Sequence, residues 1–150
     1  MNSQATVVRG SNRCAISRAT IAAQHQNRDP RGWKEFADQL AEHSTEGAAL
    51  TMRGVQKRRP SLFDLAGQMG SITLPVLVMA GDEDDPCIEA SILMKRTIQS
   101  AALVMLPRSG HATNLEEPAL FNQYVDEFFH QVESGRWQLR DPRSVTGKIL

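Results

Sequence analysis

Residues 74–86 read LPVLVMAGDEDDP. Five apolar residues, Val76 to Ala80, follow one another without alternation and are bounded by Pro75 and Gly81. Such a run fits a strand buried on both faces, as in a parallel sheet, and Pro and Gly this close to its ends disfavour a core helix. The pattern returns at residues 102–106, ALVML, closed by Pro107. Between the two runs, Ile88 to Gln99 has helical character, with Ile88, Ile92 and Ile98 as its expected buried face. Two buried strands joined by a helix make a right-handed βαβ unit, so the expected fold class is α/β.

The flanks on both sides are helical. Asp29 and Pro30 supply an N-cap and a first helical residue, and Trp33, Phe36, Ala37, Leu40 and Ala41 then recur on one helix face. Ser44 can cap a second helix with Ala48, Leu50, Met52 and Val55 on its apolar side, and Pro60 ends it. Leu62 to Met69 is a short helical piece closed by Gly70. After the second strand, Leu120, Tyr124, Phe128 and Val132 recur every fourth residue from Pro118 to Gly135, with Glu116 and Glu117 near the positive end of the helix dipole. The expected organisation is a poorly ordered or cropped segment 1–28, a helical cap 29–70, an α/β core 71–137 and a tail 138–150 of surface coil.

At 150 residues, 41% of them hydrophobic, the chain is the size of one domain with a real core. Seventeen basic residues balance seventeen acidic ones, which argues against the strongly basic face or stripe of a nucleic-acid binder. The basic run Lys57 to Arg59 is the size of a solvated helix end. Cys14 and Cys87 lie far apart without a CxxC pairing, so neither a disulfide framework nor a zinc knuckle is expected, and a reducing cytoplasm is the default. No apolar run approaches the roughly 18 residues of a membrane helix. Residues 1–28 hold four arginines and no acid, loosely a transit-peptide composition, but lack a strong amphipathic face.

In open α/β sheets ligands bind outside the carboxyl ends of the strands. The first strand runs into Gly81-Asp82-Glu83-Asp84-Asp85-Pro86 and the second into Pro107-Arg108-Ser109-Gly110-His111. Neighbouring strands lie about 5 Å apart, so an acid after one and a histidine after the next are placed to hydrogen-bond. A carboxylate on the histidine's Nδ1 side fixes the tautomer and steadies the imidazolium formed when the ring takes a proton from a nucleophile. A calcium loop fails on spacing: counted from Asp82, the sixth and twelfth positions are Cys87 and Leu93, where Gly and Glu are required. Cys87 sits in the acid's own loop and not on a strand-to-helix elbow, which argues against a thiol nucleophile. His25, His43 and His130 have no comparable setting and are expected on the surface or partly buried.

These stretches resemble the α/β-hydrolase family: LPVLVMAGDEDDP its penultimate strand and acid turn, and LPRSGHATNLEEPALFNQYVDEFF its last strand, histidine loop and final helix. The resemblance assigns the catalytic acid to Asp84 and the base to His111, with Asp82 and Asp85 as rival acids. It likens Trp33 to Arg59 to the family's cap, where Trp33 and Phe36 line an apolar substrate pocket or pack as core. It implies hydrolysis of an ester, lactone or related small apolar carbonyl compound by a Ser-Asp-His mechanism, with no metal or organic cofactor.

That mechanism requires a nucleophile elbow, G-x-S-x-G or a variant with Asp or Cys at its centre. No glycine of the sequence begins such a pattern. The expectation is a hydrolase-family chain truncated on its N-terminal side, weak or inactive alone. Its alternatives are a non-catalytic small-molecule binding or interaction module and half of an assembled hydrolase. Loss of the central strands would leave an apolar sheet edge, so self-association is expected.

Overall fold

The computed structural model describes residues 23–145. Its centre is a two-stranded parallel sheet, β1 (Val76–Gly81) beside β2 (Ala101–Leu106), paired from Val76↔Ala101 to Gly81↔Leu106. Around it, in chain order, lie α1 (Ala23–Arg28), α2 (Pro30–Ala41), α3 (Thr45–Thr51), α4 (Ala66–Met69), α5 (Asp85–Thr97), α6 (Thr113–Glu116) and α7 (Pro118–Glu133). A π-helical turn, Met52–Gln56, prolongs α3, and a 3₁₀ turn, Pro142–Val145, closes the described chain.

Parallel strands need a crossover, and α5 supplies it. Its end at Thr97 leaves Ile98 to turn the chain back, and Ile98 is buried in a cluster with Met69, Val78 and Ala101. Ala66, Leu93 and Met94 pack against that cluster, which places the core between α4, α5 and the sheet. Ile88 and Ile92, expected beside Ile98 in the buried face, are only half-buried; Leu93 and Met94 turn to the core instead. The strands are also less enclosed than expected, with Leu77 and Met79 half-buried while Val78 and Ala80 are buried.

The caps follow the sequence. Asp29 accepts the Gly32 N–H at 2.9 Å to start α2, and Ser44 accepts the Gly47 N–H at 3.1 Å to start α3. The apolar side of the second helix remains in solvent, Leu50 and Met52 each 60% exposed, because no described element packs over it. No residue of α7 is fully buried either, and its stripe is anchored at one end by Phe128, whose ring meets Trp137 edge-on with centroids 4.8 Å apart.

The helix α1 begins inside the segment 1–28; residues 1–22 lie outside the described chain. The described part of the tail, 138–145, is mostly exposed coil with one 3₁₀ turn, held at Arg140, which donates to the carbonyls of Lys95 and Arg96 at the end of α5; just before it, Trp137 Nε1 donates to Ser100 O at 2.8 Å. A guanidinium on the last carbonyls satisfies acceptors that a helix end leaves open.

Candidate active site

Pairing of the backbone continues beyond the strands and draws two loops together. Asp82 N donates to Leu106 O at 3.0 Å and Glu83 N to Ser109 O at 2.9 Å. Gly81 permits the approach, since a Cβ there would lie 2.0 Å from Ser109 O and 2.3 Å from Gly110 O. Asp84 N then bonds Gly81 O at 3.3 Å, a turn that swings the Asp84 side chain back over the end of β2.

Asp84 occupies the N-cap of α5, where an aspartate normally spends its carboxylate on the helix's free N–H groups. It makes no such bond. Its Oδ2 instead accepts from His111 Nδ1 at 2.7 Å. The Asp84 side chain is 6% exposed and that of His111 59%, so a buried carboxylate orients a ring whose remaining face is open. Asp84 Oδ1 is buried without a hydrogen-bond partner. The rivals go elsewhere: Asp82 Oδ1 accepts from Ser109 N at 3.3 Å, and Asp85 is exposed in the first turn of α5.

The histidine loop has supports that the sequence did not disclose. Glu116, expected at the dipole of the last helix, is buried in α6 and accepts the Gly110 N–H, one residue before His111. Arg28 of α1 donates to Arg108 O at 2.7 Å and Glu116 O at 3.1 Å and pairs with Glu117. Arg108 itself takes a left-handed backbone, φ 54°, so the carbonyl that Arg28 grips belongs to the tightest point of the loop. Gln24 reaches Glu83 on the acid side. The arginine run before residue 29 was the available signal, but its composition carries no partner.

Cys87 is drawn into the site, its Sγ 3.9 Å from His111 Nδ1. Burial, and then the adjoining Asp84 carboxylate, push its thiol up to about 11. The thiol therefore stays protonated near neutrality, the opposite of an activated nucleophile. A cavity of about 230 Å³ beside the pair is lined by residues including Leu62, Val78, Met94 and His111. Trp33 and Phe36 do not line it. They cluster with His25, Trp33 buried and Phe36 40% exposed, at ring separations of 5.7–6.1 Å. His25, expected at the surface or partly covered, is buried because both aromatic rings close over it.

By its match to a solved structure, the chain has part of an α/β-hydrolase fold, the parallel sheet crossed by a helix with an acid and a histidine meeting at its carboxyl edge. The structure matches MenH from S. aureus with a TM-score of 0.73 at 16% identity, over 81% of this chain and 45% of that one. In sequence, the chain is 27% identical over 74 residues to a Bacillus subtilis (strain 168) protein assigned as a 2-succinyl-6-hydroxy-2,4-cyclohexadiene-1-carboxylate synthase. It is 29% identical over 72 residues to the proline iminopeptidase of Saccharolobus solfataricus. The match spans 49% and 48% of this chain but only 26% and 23% of those two proteins. No family model matches the sequence.

Proposed function

We propose that Asp84 and His111 are the acid and base of a hydrolytic site acting on an ester, lactone or related carbonyl substrate. The carrying observation is the 2.7 Å contact between a buried carboxylate and an open imidazole at the carboxyl ends of paired strands. Asp84 holds the Nδ1–H tautomer, so Nε2 is the atom free to take a nucleophile's proton, and the carboxylate steadies the imidazolium that results. The nucleophile and the oxyanion donors come from a polypeptide segment outside these 150 residues, since no elbow motif occurs among them. The cavity supports that division, because about 230 Å³ falls short of the roughly 300–1,000 Å³ of small-molecule pockets.

Alone, the chain turns over little, as the oxyanion hole and nucleophile carry most of such a rate enhancement. A fluorophosphonate probe tests this directly: the purified chain stays unlabelled, and a covalent adduct on one of its serines would refute the assignment. Aryl-ester turnover that survives His111→Ala would sink the acid–base pair. The reading as half of an assembled site has its own support in the sheet, which has only two strands among the described residues. A strand edge left open recruits another strand. Sedimentation of the chain alone should then show self-association, and a sharp monomer would count against it.

A further inference from the structure

Asp84, Cys87 and His111 bring three different metal-ligating atoms together, a carboxylate oxygen, a sulfur and a ring nitrogen, each within 4.8 Å of the others. Asp84 and Cys87 are three residues apart at the start of α5, one helical turn, so they share a face; His111 enters from the loop after β2. A second observation comes from the carboxylate itself: Asp84 is 4% exposed, and its Oδ1 has neither partner nor water access. A buried oxygen in that state has lost solvation and gained nothing in return. We infer that Asp84, Cys87 and His111 form a binding site for a single Zn²⁺-like cation whose occupancy excludes the histidine–aspartate hydrogen bond.

The donor set decides the metal class. Sulfur, imidazole nitrogen and one carboxylate oxygen suit a borderline-soft ion such as Zn²⁺ and not the hard, all-oxygen coordination of Ca²⁺ or Mg²⁺. Three protein ligands leave a fourth position for water. Around a tetrahedral zinc with bonds of about 2.0–2.3 Å, N···O would be about 3.3 Å and N···S about 3.5 Å. The observed separations are 2.7 and 3.9 Å, so the ring moves about half an ångström away from Asp84 and towards Cys87. His111, with 59% of its side chain exposed, is free to make that shift.

The protons balance. Cys87 gives its Sγ–H proton to solvent, and the ring proton of His111 passes from Nδ1 to Nε2, so each ion bound releases one proton. The ion is no cofactor of hydrolysis. On the acid–base assignment proposed above, it occupies the base and switches the pair off.

The test uses the untagged full chain carrying Cys14→Ser, stripped with chelator and titrated with Co²⁺. The expected result is a sulfur-to-cobalt charge-transfer band that Zn²⁺ displaces and that is absent from Cys87→Ser. Asp84→Asn and His111→Gln should each weaken Co²⁺ binding at least 10-fold, with folding checked by circular dichroism. No band in the Cys14→Ser chain, a band that survives Cys87→Ser, or unchanged affinity in His111→Gln would each overturn the inference. The cobalt spectrum is read without any substrate, so a failure of the hydrolytic assignment leaves this result untouched.

Discussion

Replacing Gly81 by alanine should part the two loops that carry Asp84 and His111. The added Cβ would lie 2.0 Å from Ser109 O, 2.3 Å from Gly110 O and 2.4 Å from Ser109 C. All three are backbone atoms, so no side chain can swing aside. Restoring ordinary contact needs a separation of about 1 Å or more. That stretches the Glu83 N–Ser109 O bond of 2.9 Å past its useful range and strains the Asp82 N–Leu106 O bond of 3.0 Å. Two weakened hydrogen bonds at about 1 kcal/mol each, with overpacking at about 1–3 kcal/mol, give a loss of about 3–5 kcal/mol. For a domain of this size that lowers Tm by about 10–20 °C. Thermal unfolding followed by circular dichroism reads the loss, and the downfield Nδ1 proton of His111 in NMR reads the separation. Gly67→Ala is the control: it sits in α4 with nothing within 4 Å of its Cβ, and should be neutral or stabilising by up to about 1 kcal/mol. A Gly81→Ala chain within about 2 °C of the parent, with the His111 proton unmoved, would refute the reasoning.

Arg28→Ala removes one cation that spans Arg108, Glu116 and Glu117, and should cost about 2 kcal/mol in urea unfolding, with faster amide exchange across Arg108 to His111. Arg28→Lys should not restore it, because a point charge cannot reproduce the two-pronged contact. In a Cys14→Ser chain, iodoacetamide should alkylate Cys87 about 100-fold more slowly at about pH 8 than the same thiol in urea, the ratio set by a shift from 9.0 to about 11. The sign for stability follows: the folded chain holds the thiol proton more tightly, so this contribution is intact below pH 9 and is lost as pH rises from 9.0 towards about 11. Equal alkylation rates in the folded and unfolded chain would contradict the shielding of the half-buried Cys87 beside Asp84.

What the sequence disclosed was the local part of the structure. The unbroken run Val76 to Ala80, bounded by Pro and Gly, favoured a strand over a core helix, and it is a strand, extended by Gly81, though only half-buried at Val76, Leu77 and Met79. Asp29, Ser44 and Pro118 mark helix starts because capping is a matter of a few neighbouring atoms. The meeting of Asp84 with His111 was also legible, since strand pairing converts a separation along the chain into a fixed distance. Contacts set by tertiary packing were not. Nothing in the pattern shows that Glu116 turns inward to Gly110, or that Arg28 crosses to the histidine loop. Periodicity likewise marked Leu50, Met52 and Val55 as one apolar side without revealing that no described element covers it.

The register of β1 on β2 carries a consequence for how the molecule folds. Every pair joins residue i to i+25, from Val76↔Ala101 to Gly81↔Leu106. Closing a loop of that length costs about 3 kcal/mol of chain entropy beyond a constant, and much of that loop is the helix α5. Once the ladder zips, the bonds from Asp82 and Glu83 add two more rungs, which bring the acid loop and the histidine loop side by side. The ladder thus sets the distance between the two loops, while Glu116 and Arg28, from the helices outside the sheet, fix the histidine loop itself.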